Sequence, residues 1–175
     1  MNVSKTSVTC RRILHVDDDH SMLRLVRSVL ENAGYEVISV DDPQQVIKVL
    51  QEQQIQLVIS DVDMPHLPGI ELLRQIKSYR GNIQVIMLTG LVTQMTAVDS
   101  MSAGAEYCLF KPLLDPTPLL MAVENTFAKL DFWRDTLFEL KERKMREQGQ
   151  LKTTASGKQP RTAKMVKQKL ARAAS

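Results

Sequence analysis

The sequence contains little cysteine and no long apolar run. Cys10 and Cys108 are the two cysteines in 175 residues, too few for the disulfide framework that holds small secreted domains together. Apolar runs reach about five or six residues, well short of the roughly 20 that a membrane-spanning helix needs. The residues before the first apolar run are too few and too polar for a signal peptide. We therefore expect a soluble cytoplasmic protein without a membrane segment.

Acidic and aromatic side chains are absent from the C-terminal tail. Leu151 to Ser175 contain seven Lys and Arg residues, which leaves 16 basic and 20 acidic side chains, a net charge of −4, in residues 1–150. This composition predicts a basic, disordered tail. A tail that binds nucleic acid is the alternative, but seven cations without a recognition fold would give only salt-sensitive, non-specific binding.

Short apolar, β-branched runs alternate with stretches of helical periodicity. The runs lie at 13–16, 37–40, 57–60, 85–89 and 107–110. Their nearly continuous apolar character is typical of strands that are covered on both faces of a parallel sheet. Five such strands and five helices predict an α/β fold, a doubly wound five-stranded parallel sheet with right-handed crossovers. His15 lies inside the first run, where we expect it to pack rather than to act chemically.

Local signals predict where the helices begin and end. Asp-Pro pairs at 42–43 and 115–116 mark the starts of the second and fifth helices, Thr93 is placed to cap the fourth, and Gly34 is placed to end the first. Spacings of three and four residues predict the buried faces. These are Met22, Val26, Val29 and Ala33 on the first helix, Leu72, Leu73 and Ile76 on the third, and Ala97, Val98 and Met101 on the fourth.

The fifth helix continues beyond the end of a compact domain. Leu130, Trp133, Leu137 and Leu140 follow one another at spacings of three, four and three residues, which is a heptad seam of about two repeats. The seam predicts a homodimer, or an extension that folds back on its own domain. Two heptads alone make a marginal coiled coil. We predict a flexible N-terminus at 1–10, a domain at 11–128, a helical extension at 129–148 and a disordered tail at 149–175.

Polar residues follow four of the predicted strands. Asp17 to Asp19 follow the first strand, Asp61 the third and Lys111 the fifth, and Thr89 ends the fourth. These strand ends meet at one edge of a doubly wound sheet, where ligands bind. Clustered carboxylates repel one another by roughly 4 kcal/mol per pair at 4 Å and an effective dielectric of 20. A Mg²⁺ ion would relieve the repulsion, and one carboxylate could then act as the nucleophile toward a phosphoryl group.

These residues also carry a family resemblance. The set resembles the receiver domain of response regulators in two-component signalling, in order and spacing, over residues of about 11 to 130. The motifs are Ile13–Asp19, Asp61–Pro65 with Gly69, Leu88–Gly90 and Lys111–Pro112.

The resemblance implies a role for each site residue. Asp61 corresponds to the phosphoacceptor, Asp17 and Asp18 hold Mg²⁺ with Asp61, and Asp63 adds its backbone carbonyl to the metal. Thr89 and Lys111 bind the phosphoryl group, and the Lys111–Pro112 peptide bond is expected to be cis. The implied sheet order is 2-1-3-4-5.

By the same resemblance the protein is a signalling switch rather than an enzyme. It would accept a phosphoryl group from a histidine kinase or phosphotransfer protein and signal through a downstream protein or through dimerisation. A remote alternative is an aspartate-nucleophile phosphohydrolase, because Asp61–Asp63 also resembles the motif of haloacid-dehalogenase-like enzymes. Those enzymes place their second acidic pair after the lysine, whereas here the acidic pair comes before both, and we expect no chain to remain for a substrate cap.

The sequence departs from the family pattern in two respects. Cys108 stands where receivers commonly carry an aromatic switch residue, and Tyr107 is one residue away, so it points to the opposite face of the strand. Asp63 and Leu91 stand at positions that border the attacking water. A carboxylate and an isobutyl group there do not favour water, so we hypothesise slow autodephosphorylation.

Overall fold

The computed structural model describes residues 11–90 and 93–147. It contains one parallel sheet of five strands in the order β2-β1-β3-β4-β5, which confirms the predicted fold class and strand order. The strands are β1 (Arg12–Val16), β2 (Glu36–Val40), β3 (Leu57–Asp61), β4 (Gln84–Thr89) and β5 (Tyr107–Phe110). The helices are α1 (His20–Asn32), α2 (Val46–Glu52), α3 (Gly69–Tyr79), α4 (Gln94–Ser102) and α5 (Thr117–Glu147).

The sheet is covered on both faces. Leu14 and Val58 belong to a buried cluster with Leu72, Leu73 and Ile76 of α3, which are the three residues predicted to be buried on that helix. Because successive strand residues point to opposite faces, the buried side chains between them, such as Ile13 and Ile59, pack on the other side. At about 25 cal/mol per Å² of apolar surface, this burial is the main stabilising contribution to the fold.

The helix α1 is rotated relative to the predicted face. Its buried residues are Leu23, Val26 and Leu30, whereas Ala33 is exposed. Met22 and Val29, predicted to be buried, are half-buried. Gly34 follows the end of the helix with φ of 89°, a left-handed conformation in which glycine avoids the Cβ clash, so the predicted helix end is confirmed.

The predicted buried face of α4 is wrong. Val98 and Met101 are 57% and 52% exposed, and Ala97 is half-buried. The buried residue is Ser100, whose hydroxyl donates to the backbone oxygen of Thr96 at 2.7 Å. A serine whose hydroxyl bonds to the preceding turn can be buried at little cost, so α4 turns its polar residue inward and leaves apolar side chains on the surface. The predicted cap by Thr93 is confirmed.

Both Asp-Pro pairs act slightly differently from the prediction. Asp42 caps a short 3₁₀ turn, Pro43–Gln45, which precedes α2. Asp115 accepts a hydrogen bond from the Thr117 backbone N–H at 2.9 Å, so the helix α5 begins at Thr117 rather than at the proline.

The edge strand β5 differs from the other strands, because its residues are only half-buried or exposed.

Phe127 anchors the first part of α5, up to residue 127, to the domain that contains the sheet. Its ring stacks on Tyr35 with the centroids 5.5 Å apart, and the Arg11 guanidinium lies 5.2 Å from its centroid. The chain divides into two compact units between Phe127 and Ala128. None of the helices in the described residues has the length and apolar character needed to cross a membrane. The predicted flexible N-terminus and basic tail lie outside the described residues.

Candidate functional site

Three carboxylates converge where the first and third strands end. Asp17 directly follows β1, Asp18 is the next residue, and Asp61 ends β3; one oxygen of each lies within 4.8 Å of the others. The β1–β3 register, in which Val16 pairs with Ser60, brings these strand ends together. Asp17 and Asp61 are buried and Asp18 is exposed. The structure therefore brings together the three side chains predicted to hold a metal ion.

Lys111 bridges the two buried carboxylates. Its Nζ lies 2.7 Å from Asp17 Oδ2 and 3.1 Å from Asp61 Oδ2. Its backbone N–H donates to the Thr89 carbonyl at 2.8 Å, which positions the lysine after β5. The Lys111–Pro112 peptide bond is cis, as predicted. The four predicted strand-end positions thus meet at one edge of the sheet.

Burial and neighbouring charges shift the pKa values of Asp17 and Lys111 in opposite directions. Burial raises the pKa of Asp17, against the hydrogen bonds from Lys111 and from the Asp19 N–H. Burial alone would lower the pKa of Lys111, but its hydrogen bond to Asp17 and the nearby Asp61 carboxylate raise it above the ordinary value. Lys111 is therefore charged at neutral pH and partly compensates the buried carboxylates.

The Asp61 carboxylate is held from two sides. Its Oδ1 accepts the Val62 N–H at 2.8 Å, while Oδ2 faces Lys111. The α3 N-terminus lies against its backbone, where the Gly69 N–H donates to the Val62 carbonyl at 2.9 Å. A Cβ built on Gly69 would lie 1.9 Å from the Asp61 carbonyl oxygen. Gly69 is therefore required for this close approach, a role that the sequence motif alone did not reveal.

Asp19 plays a different part from its two neighbours. Its carboxylate accepts the Ser21 N–H at 2.7 Å and caps α1. That hydrogen bond lowers the pKa of Asp19. The family resemblance predicted Asp17 and Asp18, without Asp19, as the acidic pair, and the structure places Asp19 at the helix and the other two in the carboxylate cluster.

His15 lies on β1 two residues before Asp17. It is fully buried, as predicted, and neither ring nitrogen has a hydrogen-bond partner among the described residues. Its Nε2 is 3.9 Å from Asp17 Oδ2, beyond hydrogen-bond distance. Burial, with Lys111 and Arg27 nearby, lowers its pKa to about 3, so the imidazole is neutral under ordinary conditions.

The aromatic residue beside Thr89 is Phe110. The two residues are paired in the β4–β5 register, and Cys108 is paired with Met87. Alternation along a strand therefore places Cys108 and Phe110 on the same face as Thr89, and Tyr107 on the opposite face, as the sequence predicted for Tyr107. Phe110 was missed because the prediction considered the position three residues before Lys111 and not the residue directly preceding it.

For two predicted site residues, the predicted contacts with a metal ion or a phosphoryl group remain untested. Asp63 is exposed in the loop after β3, and the role of its backbone carbonyl remains a prediction. Thr89 is buried at the end of β4, and its contact with a phosphoryl group likewise remains a prediction. Leu91 lies outside the described residues.

The donor set fits a divalent cation. All three side chains offer carboxylate oxygens, which Mg²⁺ prefers. Three carboxyl groups and one ammonium group give the site a formal excess of two negative charges. A Mg²⁺ ion held by these oxygens would neutralise that excess.

Comparisons with known proteins agree with this geometry. A family model described as the response regulator receiver domain matches residues 13–124. The transcriptional regulatory protein ZraR of Klebsiella oxytoca is 35% identical over 101 residues, which cover 58% of this chain and 23% of that protein. The chain therefore spans about a quarter of the length of this relative.

Solved structures match almost over their whole length. A receiver domain protein from Clostridium thermocellum has a TM-score of 0.65 and 31% identity, covering 70% of this chain and 98% of that one. The response regulator TrrA of Thermotoga maritima, solved in complex with Mg(2+)-BeF, has a TM-score of 0.61 and 25% identity, covering 66% of this chain and 98% of that one.

Proposed function

Because this chain belongs to the response regulator receiver domain family, we propose that Asp61 is its phosphoacceptor and that the phosphoryl donor is a histidine kinase or a phosphotransfer protein. The observation that carries the proposal is the position of Lys111 between the Asp61 and Asp17 carboxylates. Lys111 lies within 3.1 Å of Asp61 Oδ2 and 2.7 Å of Asp17 Oδ2. A charged ammonium group thus stands beside the oxygen that is to carry the phosphoryl group.

The proposed reaction transfers a phosphoryl group from a histidine of the donor protein to Asp61. The Val62 N–H holds Asp61 Oδ1, which fixes the rotation of the carboxylate and leaves Oδ2 as the nucleophile. Oδ2 attacks the phosphorus of a phosphohistidine, the P–N bond breaks, and an acyl phosphate forms while the leaving imidazole takes up a proton. Lys111 offers a point positive charge to the phosphoryl oxygens as they arrive.

Mg²⁺ is the proposed cofactor, held by Asp17, Asp18 and Asp61 with the backbone carbonyl of Asp63. When bound, it neutralises charge on the phosphoryl oxygens. We expect Asp18→Asn to weaken Mg²⁺ binding roughly tenfold, since affinity depends on the charge of the ligands. Asp19→Asn is the matched control, because Asp19 caps α1 and its change leaves the three ligands intact. Calorimetric titration with MgCl₂ measures both, and equal weakening would contradict the assignment.

Phosphorylation changes the distribution of charge around Lys111. The new phosphoryl group adds about −1.5 to −2 charges next to an ammonium group that otherwise bonds to Asp17. We propose that Lys111 and the Thr89 hydroxyl are drawn to the phosphoryl oxygens. Because the Lys111 N–H is bonded to the Thr89 carbonyl, movement at either residue is passed to the ends of β4 and β5.

The proposed output surface is the apolar side of α4 and β5. Its exposed residues are Met95, Val98 and Met101 on α4 and Phe110 on β5. Large apolar side chains grouped on adjoining elements mark interaction sites more often than isolated ones do. Phe110 pairs with Thr89, so this surface lies directly beside the residue that is proposed to sense the phosphoryl group.

Contact of a partner helix with the seam at Leu130, Trp133, Leu137 and Leu140 is a second proposed route of output, and a homodimer through it remains a prediction from the heptad spacing. Three of these side chains are exposed on the part of α5 beyond Phe127, and the heptad spacing favours a partner helix. Whether that partner is a second copy depends on the charges that border the seam. Binding of nucleic acid by the tail stays a separate, untested prediction, as does the remote phosphohydrolase activity.

A small phosphodonor tests the phosphoacceptor directly. We expect acetyl phosphate with MgCl₂ to add the mass of one phosphoryl group to the wild type, measured by intact-protein mass spectrometry. Asp61→Asn should add none, and chelation of the metal should abolish the reaction in the wild type. Asp63→Asn removes a nearby exposed carboxylate and should still be phosphorylated. Phosphorylation of Asp61→Asn at the wild-type rate would overturn the proposal.

A further inference from the structure

The part of α5 beyond Phe127 carries an unpartnered apolar seam. Trp133, Leu137 and Leu140 are 53%, 62% and 54% exposed, and Leu130 is half-buried. Phe132 packs edge-on against Trp133 with the ring centroids 5.9 Å apart, which holds the indole in place. The seam therefore presents a row of large, exposed apolar side chains along one side of the helix.

The residues that border this seam are all basic or neutral. In heptad terms, Leu130 and Leu137 are at position a, and Trp133 and Leu140 at position d. The bordering e and g positions from 134 to 143 are Arg134, Thr136, Lys141 and Arg143, and the next a position is Lys144. Charges at e and g decide which helices pair. From Leu130 to Lys144 this seam thus presents four cations and no anion to whatever binds it, and the following d position is Glu147.

The four acidic residues between Leu130 and Lys144 lie on the opposite side of the helix. Asp131, Asp135, Glu139 and Glu142 occupy positions b, f, c and f, which face away from a coiled-coil partner. Asp131 and Asp135 do approach Arg134, at 2.9 Å and 3.8 Å, so the charge of that arginine is partly compensated within its own helix. The bordering charge therefore comes mainly from Lys141, Arg143 and Lys144.

A second copy of this chain fits the seam poorly. In a parallel pair the two Lys144 side chains would meet at the core a position, and a lysine there lowers stability. In an antiparallel pair, e positions face e positions and g positions face g positions, so Lys141 and Arg143 would again meet cations. Because the acids lie on the far side, neither orientation brings them to the interface. With about two heptads of apolar contact, there is little to offset this repulsion.

We propose that the seam binds an amphipathic helix of another protein whose flanking positions are acidic. Apolar residues of that helix would cover Trp133, Leu137 and Leu140, and its Asp or Glu side chains would pair with Lys141, Arg143 and Lys144. Like charges repel self-association and opposite charges attract such a partner, so one set of residues supplies both affinity and selectivity.

The chain itself provides the test helix. Arg134→Glu, Lys141→Glu, Arg143→Glu and Lys144→Glu together give a full-length variant with the same apolar seam and acidic borders. Wild-type and variant chains both carry Asp61→Asn, so that phosphorylation plays no part. Sedimentation equilibrium measures each chain alone and an equimolar mixture, in low salt and in 1 M NaCl. Circular dichroism checks that the variant keeps its helix content.

We expect the mixture to form a one-to-one complex at least tenfold more tightly than either chain associates with itself. High salt should weaken the mixed complex, because exposed charges are screened. Leu137→Asp in the wild-type partner should abolish it, which excludes attraction through the basic tail alone. Self-association of the wild type as tight as the mixed complex would assign the seam to a homodimer and overturn the proposal. Absence of a mixed complex, or one insensitive to Leu137→Asp, would overturn it too.

Discussion

Replacement of His15 by leucine should make the protein more stable, and increasingly so as the pH falls. His15 is fully buried, and neither of its ring nitrogens has a hydrogen-bond partner among the described residues. Leucine is similar in volume, so it should fill the site with a small packing cost, under about 1.5 kcal/mol. It also removes a buried polar group that lacks a partner, which costs about 1–3 kcal/mol.

The pH dependence follows from the lowered pKa of His15. The folded protein holds this pKa at about 3, whereas the ordinary value is 6.5. Below pH 6.5 the unfolded chain binds a proton that the folded chain does not, so stability is lost as the pH falls from 6.5 toward 3 and is retained above 6.5. The loss approaches about 1.4 kcal/mol per pH unit. Between pH 7 and pH 5 it amounts to about 2 kcal/mol.

Urea unfolding at pH 7 and pH 5 measures this contribution. The wild type should lose about 2 kcal/mol more than His15→Leu between the two values, because both proteins share every other titrating group. His20→Leu removes an exposed histidine instead and controls for the loss of a histidine as such. If His15→Leu and the wild type lose the same free energy, the imidazole is not buried in its neutral form and the reasoning fails.

Two further predictions concern the surroundings of Asp61. Gly69→Ala should lower the free energy of unfolding by about 1–3 kcal/mol or more and slow phosphorylation, since the added Cβ would meet the Asp61 carbonyl oxygen. Gly81→Ala is the matched control, because a Cβ there would lie 3.6 Å from the nearest atom. It should change the free energy of unfolding by less than about 0.5 kcal/mol. Asp63→Asn with Leu91→Glu should shorten the lifetime of the acyl phosphate, because the change removes the carboxylate at 63 and replaces the isobutyl group at 91 with a side chain that can hydrogen-bond the attacking water. Decay of the phosphorylated mass checks this, and an equal or longer lifetime in the double variant would refute slow autodephosphorylation.

The strand ends were predictable because a parallel sheet leaves little freedom. Apolar, β-branched runs at five places predicted a doubly wound sheet, and the residues after those runs had to meet at one edge. Asp17, Asp61 and Lys111 could therefore be placed together from order and spacing. The distances that join them depend on side-chain contacts that no local pattern contains.

The helix faces were less predictable, because apolar residues are not always buried. On α4 the rule that apolar side chains face inward led to Val98 and Met101, yet the buried residue is Ser100, whose hydroxyl is satisfied within the helix. On α1 the pattern permitted two faces that differ by one residue, and packing selected the one with Leu23 and Leu30. The contact of Gly69 with Asp61 is likewise a property of the folded chain.

The central claim is that Asp61 carries the phosphoryl group, and mapping the modified residue tests it most directly. After phosphorylation with acetyl phosphate and Mg²⁺, borohydride reduces the acyl phosphate and converts the modified aspartate to homoserine, which peptide mass spectrometry locates. We predict homoserine at position 61 alone. Homoserine at Asp17 or Asp18, or phosphorylation with position 61 unmodified, would contradict the assignment of Asp61 as the nucleophile.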